Sequence, residues 1–266
     1  MIATSPRLRH IGAVNWIGLW TLYLREVQRF FKVFNQTVAA PVVTTLLFLA
    51  IFMLAMGGNG RMVGDIPYIE FLVPGLIMMA INQNAFANTI SSLMMGKVQG
   101  NIVDVLTPPL SALELMLGFA LGGATRGLIV GVAVGLALEL IEPFRIVAPL
   151  MVVYHAVAAS LLLSLMGIVG GLWSEKFDHA AAVTNFVVVP LTFLSGTFYS
   201  AAQLPVSWRF VAHINPFFYM IDGFRYGFIG YAEGSLLWGG IGIGLLDLGL
   251  MAVCYWLFVT GYKLKA

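Results

Sequence analysis

Long apolar runs separated by short polar stretches dominate the pattern of the chain. Six of these runs are about as long as the ~20 residues that a helix needs to cross the hydrocarbon core of a bilayer. They lie at about residues 37–56, 71–95, 112–138, 147–173, 181–199 and 236–260. The pattern therefore predicts an all-α, polytopic membrane protein in which six transmembrane helices form one transmembrane domain over residues 1–266.

Residues 11–35, which precede the first run, follow a different pattern. Aromatic and aliphatic residues recur at alternating steps of four and three, as on the apolar face of an amphipathic helix. Four charged residues stand where a secretory signal would carry small cleavage-site residues: Arg25, Glu26, Arg29 and Lys32. These charges argue against a signal peptide. We predict a helix that lies in the membrane interface, with a short soluble helix packed on the protein as the alternative.

Residues 200–235, between the last two runs, are rich in aromatic residues but contain no uncharged stretch as long as a span. Asp222 and Arg225 interrupt the longest apolar stretch, and their spacing of three residues allows them to pair on one helical face. Irregular backbone at membrane depth must be buried in protein or line a cavity. We therefore predict an external segment of two short re-entrant helices.

Composition excludes several classes of protein. Of 266 residues, 10% are charged and 60% are hydrophobic, whereas an ordinary soluble domain carries about 25% charged residues. A water-soluble globule would have too few charges to cover its surface. The single cysteine, Cys254, excludes a disulfide framework and the common multi-cysteine metal sites. A net charge of +2 gives no argument for nucleic-acid binding.

The distribution of basic residues predicts the orientation. If the amino terminus is cytoplasmic, nine Lys and Arg residues fall on the cytoplasmic side and four on the outer side. This asymmetry follows the positive-inside rule. We expect both termini to be cytoplasmic.

The second run contains four amides within what should be hydrocarbon: Asn82, Gln83, Asn84 and Asn88. Such groups should face protein or water, so they are candidates for a translocation path. Arg126 in the third run is a further candidate, because a buried cation needs a partner or water. It either contacts an anionic substrate or forms a gating pair with Glu114 or Asp247. The alternative is that Arg126 snorkels to the headgroups or pairs structurally.

Glycines at every fourth position of the third run form one stripe along a helix: Gly123, Gly127, Gly131 and Gly135. Such a stripe allows close helix packing, and its mobility during transport is the functional alternative. For an enzyme, the candidates are His155 and Ser195 as an intramembrane hydrolase dyad, although nothing in their spacing requires it. The chain has no G-x-S-x-G, H-E-x-x-H or Walker A sequence. We predict that it is not an enzyme.

The order of several motifs resembles the ABC-2 type permeases of bacterial ATP-binding-cassette exporters. The motifs are FLVPGLIMM at 71–79, GNIVDVLTPPLSALELMLG at 100–118, GGATRGLIVG at 122–131, VVPLTFLSGTFYSAAQLP at 188–205 and INPFFYMIDGFRYGFIG at 214–230. The last block contains Pro216, Asp222 and Arg225 of the re-entrant segment. Short members of this family export polysaccharides, nodulation lipo-oligosaccharides or drugs.

The resemblance implies how the chain would work. The amphipathic helix, with Arg25, Glu26, Arg29 and Lys32, would flank the docking site of a separate ATPase. A coupling helix over about 96–106 would fit a cleft on that ATPase. Its exposed contacts would come from Gln99, Gly100, Asn101 and Asp104, and its apolar face from Ile102, Val103, Val105 and Leu106.

The resemblance also implies the partners and the location. Two ATPase copies would bind ATP and magnesium, so this chain would need no cofactor of its own. A second permease copy, as a homodimer or a pseudo-symmetric heterodimer, and membrane lipid would be the other partners. The location would be the bacterial inner membrane. An ATP-independent carrier and an intramembrane hydrolase are the competing functions.

Overall fold

The computed structural model describes residues 12–55 and 62–264, which are mostly helical. The helices are α1 (Trp16–Phe31), α2 (Asn35–Ala55), α3 (Tyr68–Val98), α4 (Ile102–Leu106), α5 (Ala112–Glu139), α6 (Pro149–Trp173), α7 (Phe177–Phe193), α8 (Val206–Ile214), α9 (Pro216–Ile229) and α10 (Leu236–Thr260). A single π-helical turn opens α2 at Asn35–Ala39, and another lies within α7 at Thr184–Val188. The predicted helix start at residue 11 and the predicted span end at residue 56 lie outside the described residues.

Five helices in the described part of the chain are long and apolar enough to cross a membrane: α2, α3, α5, α6 and α10. The run predicted at 236–260 coincides with α10, and the other four differ from their predicted bounds by a few residues. The fifth predicted run, 181–199, is wrong at both ends. Helix α7 begins at Phe177 and ends at Phe193, and the chain then turns through Gly196, whose φ is +75°. Glycine adopts this left-handed conformation without the steric cost that a Cβ atom adds.

A short antiparallel hairpin precedes α3 and departs from the all-α prediction. Its strands are β1 (Met62–Val63) and β2 (Ile66–Pro67). The Tyr68 hydroxyl, at the start of α3, donates a hydrogen bond of 2.8 Å to the Phe198 carbonyl oxygen. The hairpin end of α3 is therefore joined to the turn that follows α7.

Helix α3 lies at the centre, buried along most of its length, with α5 and α6 packed against it. The glycines of α5 and α6 make this packing close. A Cβ atom added at Gly127 would lie 2.9 Å from the Ala85 Cβ, and one added at Gly167 would lie 2.7 Å from the Phe86 carbonyl oxygen. Side chains there would force the helices apart. The predicted packing stripe is confirmed at Gly123, Gly127 and Gly131, whereas a Cβ atom added at Gly135 would lie at an ordinary 3.7 Å from Ile77.

Local sequence explains where α5 begins. Pro108 and Pro109 interrupt the preceding chain, and Ser111 then caps the new helix. The Ser111 side chain accepts from the Glu114 backbone N–H, while the Glu114 carboxylate accepts from the Ser111 backbone N–H at 2.6 Å. This reciprocal capping box satisfies two backbone donors that the first helical turn leaves free.

The outer helices leave apolar faces uncovered. On α2 the exposed side chains include Val43, Leu47, Ile51 and Leu54, and on α7 Phe186 is 81% exposed. Faces of this kind are stable against lipid or another protein, but not against water. The arrangement agrees with a protein that crosses a membrane several times.

Candidate functional site

The four amides of α3 point to three different surroundings. Asn82 is fully buried, and its Nδ2 contacts the Met220 sulfur of α9 at 3.9 Å, while its Oδ1 has no partner. Gln83 and Asn84 line a cleft. Asn88 contacts α1. Of the five predicted path residues, these four amides and Arg126, only Gln83 and Asn84 line this cleft.

This cleft has a volume of about 390 Å³ and lies between α2, α3 and α7. Its polar lining residues are Gln36, Thr44, Thr45, Gln83, Asn84 and Thr184. Met79, Phe86 and Val188 form part of its apolar wall. Because amides and hydroxyls are unfavourable against lipid tails, the polar groups of this mixed cleft should face water, substrate or another protein.

Arg126 of α5 is hydrogen-bonded to Asn84, a residue that lines the cleft. Its Nη2 donates to the Asn84 Oδ1 at 3.0 Å, and its buried Nε has no partner in the part of the chain that the structure describes. The predicted gating pairs with Glu114 or Asp247 are wrong, because Arg126 forms no ion pair with a carboxylate of the described residues. Glu114 instead caps α5 and accepts from the Asn15 backbone N–H. Asp247 is buried in α10, and its Oδ1 has no partner.

Helix α1 is fastened to the bundle by charged residues that were predicted to face a partner. Glu26 is fully buried, and its Oε1 accepts from the Ser92 hydroxyl at 2.8 Å. Arg29 pairs with Glu26 at 3.3 Å and donates to the Asn88 Oδ1 at 2.9 Å. These two residues link α1 to α3. Of the four predicted interface residues, only Arg25 and Lys32 remain exposed.

The burial of Glu26 depends on a glycine pair in α5. A Cβ atom added at Gly122 would lie 2.5 Å from the Glu26 Cβ, and one added at Gly118 would lie 2.5 Å from the Leu22 Cδ2. Side chains of α1 therefore occupy the space that the two glycines leave. The spacing of Gly118 and Gly122 is the sequence signal that predicts a helix contact there, although it does not identify α1 as the partner.

The predicted coupling stretch forms the end of α3, a turn and the short helix α4. Gly100 makes the turn with a φ of +74°. Gln99, Asn101 and Asp104 are exposed, as predicted. The predicted apolar face is wrong in part, because Ile102 and Val105 are buried in the core of the chain itself. A partner can reach Val103, which is 60% exposed.

A cleft of about 370 Å³ separates α1 from α4. Thr21 and Arg25 line it from α1, and Asp104 and Val105 line it from α4. Exposed residues of both predicted docking elements therefore face one concave surface. A partner that fits this surface would touch both elements at once.

Two lysines join helix ends in this region through contacts that no motif in the sequence predicts. Lys97 donates to the carbonyl oxygens of Leu172 and Ser174 at the end of α6. Lys263 donates to the Glu175 carboxylate at 2.7 Å. This hydrogen bond raises the pKa of Lys263 and lowers the pKa of Glu175. The final turns of α3, α6 and α10 are thereby joined.

At the opposite end of the bundle, the predicted Asp222–Arg225 ion pair is absent. Arg225 is almost fully buried and donates to the carbonyl oxygens of Phe71 at 3.2 Å and Gly196 at 2.7 Å. Its guanidinium carbon also lies 3.7 Å from the centre of the Phe71 ring. Asp222 accepts from the backbone N–H groups of Glu233 and Gly234. Both charges bind backbone rather than each other.

Pro216 has a structural place in the same segment, as the first residue of α9. Its missing N–H is no loss there, since the first turn of a helix leaves that donor free. The preceding Asn215 accepts from the Phe217 backbone N–H at 3.0 Å and donates to the Leu191 carbonyl oxygen at 2.7 Å. The start of α9 is therefore fixed to α7.

The hydrolase dyad does not form. His155 is buried in α6, with its Nδ1 2.9 Å from the Met151 carbonyl oxygen. Ser195 donates to the Thr192 carbonyl oxygen, and its hydroxyl lies 3.2 Å from that of Thr197. The two residues share no hydrogen bond, so His155 does not activate Ser195 as a nucleophile in this structure.

Comparison with known proteins agrees with this architecture. The profile of the family described as ABC-2 type transporter matches residues 18–229. The chain is 36% identical over 259 residues to the inner membrane transport permease YadH of Escherichia coli (strain K12), covering 94% of this chain and 98% of that protein. It is 24% identical over 230 residues to nodulation protein J of Rhizobium leguminosarum bv. viciae, covering 84% of each. The profile match and the match to the Escherichia coli permease extend over most of the chain, and they show that it belongs to the ABC-2 type transporter family.

Proposed function

We propose that this chain is the permease subunit of an ATP-driven exporter in the bacterial inner membrane. The observation that carries the proposal is the cleft between α1 and α4, which exposed Arg25 and exposed Asp104 both line. Gln99 and Asn101, just before α4, are exposed as well. Ile102 and Val105 hold α4 to the bundle, so a force applied to its polar face would reach α3 and α5. The family and the name of the Escherichia coli relative support a transport role.

In the proposed arrangement two copies of a separate ATPase bind ATP and magnesium and dock on this surface. The permease chain then performs no covalent chemistry. Closure of the ATPase dimer changes the conformation of the permease only if the closed ATPase dimer binds the two permease conformations with different affinity. Arg25 and Lys32 on α1, together with Gln99, Gly100, Asn101 and Asp104, supply those contacts.

The proposed topology has six spans, with α7 as the fifth and both termini in the cytoplasm. Helix α7 has 17 residues, which is the lower limit for crossing a bilayer. Helices α8 and α9 then form the external re-entrant segment. The excess of basic residues on the side of α1 and α4, nine against four, supports this orientation.

The proposed translocation path is the cleft lined by Gln83 and Asn84. A second copy of the chain would close it, because the cleft and the apolar faces of α2 and α7 lie open in one copy. Polysaccharides, lipid-linked glycans and amphipathic drugs are the proposed substrates. An ATP-independent carrier would have no use for an exposed α4.

The test compares coupled ATP hydrolysis in variants of the α4 surface. The permease is reconstituted in proteoliposomes with the ATPase subunit that co-purifies with it, and ATP hydrolysis is measured. Asp104→Ala, or deletion of Gln99 to Asn101, should abolish the hydrolysis that depends on the permease, while the permease still inserts. Gln203→Ala, at the opposite end, is the matched control. Unchanged coupled hydrolysis in the α4 variants would contradict the proposal.

A further inference from the structure

Arg126 lies deep in the membrane-crossing part of the bundle. It is about 21 Å along α5 from Ala112, at 1.5 Å per residue. The hydrocarbon core is about 30 Å thick, so this position is far from the headgroups at both surfaces. A guanidinium at such a depth is unfavourable unless something neutralises or hydrates it.

The surroundings of Arg126 leave its charge without a counter-ion. Its Nη2 has the neutral amide oxygen of Asn84 at 3.0 Å, and its buried Nε has no partner among the described residues. No carboxylate in the described part of the chain forms an ion pair with it. Arg29, by contrast, is neutralised by the buried Glu26. The positive charge of Arg29 is therefore neutralised by a carboxylate, whereas that of the neighbouring Arg126 is not.

The open charge is next to the polar cleft. Asn84 lines the cleft and accepts the hydrogen bond from Arg126, so one amide separates the guanidinium from the cleft. Gln83 lies in the same wall. A phosphate or carboxylate that reaches Asn84 would exchange a neutral acceptor of Arg126 for a charged one. Charge-assisted hydrogen bonds are roughly twice as strong as neutral ones.

We propose that this permease takes an amphipathic substrate that carries an acidic group, and that Arg126 and Asn84 recognise that group. The inference rests on the proposed function and names its substrate class. A resident anionic lipid has the same headgroup chemistry, but its phosphate lies at the membrane surface. The depth of Arg126 therefore favours a molecule in transit through the cleft.

The test measures the headgroup preference of the permease alone, in phosphatidylcholine nanodiscs without an ATPase. The probes are dodecyl phosphate and dodecyl maltoside, which share one alkyl chain. Thermal unfolding at increasing probe concentration gives an apparent affinity for each, with empty nanodiscs correcting for partition. The wild type should bind dodecyl phosphate about tenfold more tightly, the size of one charge-assisted contact. Arg126→Gln should lose the preference, whereas Arg126→Lys and the exposed control Arg145→Gln should keep it.

A second variant covers the case in which Arg126→Gln does not fold. Asn84→Asp places a carboxylate where the amide oxygen now lies, so Arg126 gains an internal partner with almost no change in side-chain volume. This variant should bind both probes equally. A wild type without preference, an Asn84→Asp variant that keeps it, or loss of the preference when phosphatidylglycerol replaces phosphatidylcholine would each overturn the inference. Because the assay contains no ATPase, its failure leaves the coupling experiment on Asp104 unaffected, and the reverse also holds.

Discussion

The two ends of the helix bundle use polar residues in opposite ways. At the α9 end, which comprises residues 194–235, Arg225 and Asp222 are buried and bind backbone groups. At the α4 end, which comprises residues 99–107, Gln99, Asn101 and Asp104 project from the surface. Buried polar groups with fixed partners hold a structure rigid, whereas exposed ones remain available. The contrast explains why we assign partner contact to the α4 end and a fixed cap to the α9 end.

Removal of Arg225 should have the largest effect. Arg225→Ala deletes the donors to Phe71 and Gly196 and leaves a cavity, so we expect a loss of about 3 kcal/mol or more in folding free energy. The measurement is thermal unfolding of the purified protein in detergent. Arg209→Ala, which removes an exposed arginine of α8, is the control and should change stability little.

The double variant Asp222→Ala/Arg225→Ala sharpens this result. Because the two charges bind different backbone groups, the second substitution should add its own loss instead of restoring stability. Recovery of stability in the double variant would show that they act as an ion pair after all.

Separation of α1 from α5 should have an intermediate effect. Gly122→Leu places a side chain in the space of the Glu26 Cβ, and overpacking of this kind costs about 1–3 kcal/mol. Loss of the α1 contact should also lower coupled ATP hydrolysis. Gly242→Leu, on α10, where nothing lies within 4 Å of an added Cβ atom, is the matched control for hydrolysis. Equal hydrolysis by both variants would show that the contact between α1 and α5 does not affect coupling to the ATPase.

The two valines of α4 have different expected roles: Val105 attaches the helix to the bundle, and Val103 contacts the ATPase. Val105→Ala removes buried apolar groups and should lower stability by about 1.5 kcal/mol. Val103→Ala, at an exposed position, should change stability by less than about 0.5 kcal/mol while weakening ATPase binding. The readouts are thermal unfolding and co-purification of the ATPase. If Val103→Ala lowered stability and Val105→Ala weakened ATPase binding, α4 would present its Val105 face to the ATPase.

The sequence predicts long helices better than polar partnerships. Run length and apolar content are local properties, and they located α10 to the residue. The end of α7 depends on Gly196 and on contacts with α9, which an apolar run does not contain. Likewise, the spacing of Asp222 and Arg225 permits a pair, but the carbonyl oxygens of Phe71 and Gly196 come from distant parts of the chain. Glu26 is buried only because Gly118 and Gly122 leave room for α1.

The same reasoning applies to the candidate path. Polarity within an apolar run identified all four amides of α3, but only the packing of α2 and α7 determines that Gln83 and Asn84 share a cleft. A helical wheel of α3 alone cannot separate Asn84 from Asn88, because residues four apart lie on one face. Their different partners, Arg126 and Arg29, come from two other helices.

The ion pair between Lys263 and Glu175 should have the smallest effect. The folded state lowers the pKa of Glu175, so the contribution of this carboxylate is present above its unfolded pKa and is lost as the pH falls through the folded pKa. For Lys263, whose pKa is raised, the contribution is present below its unfolded pKa and is lost as the pH rises through the folded pKa. Thermal unfolding from pH 3 to pH 6 should show a slightly shallower pH dependence in Lys263→Met. If the variant and the wild type showed the same pH dependence of thermal unfolding, the Lys263–Glu175 pair would contribute nothing to stability.

Cysteine cross-linking to the ATPase tests the central claim most directly, because it reports which end of the bundle the ATPase touches. Single cysteines are placed at Asp104 and at Gln203 in a Cys254→Ala background, and a short heterobifunctional reagent that joins a thiol to a lysine amine is applied to membranes that contain the assembled complex. Our account predicts a cross-linked permease–ATPase product from the cysteine at position 104 and none from position 203. A product from position 203, with none from position 104, would contradict it.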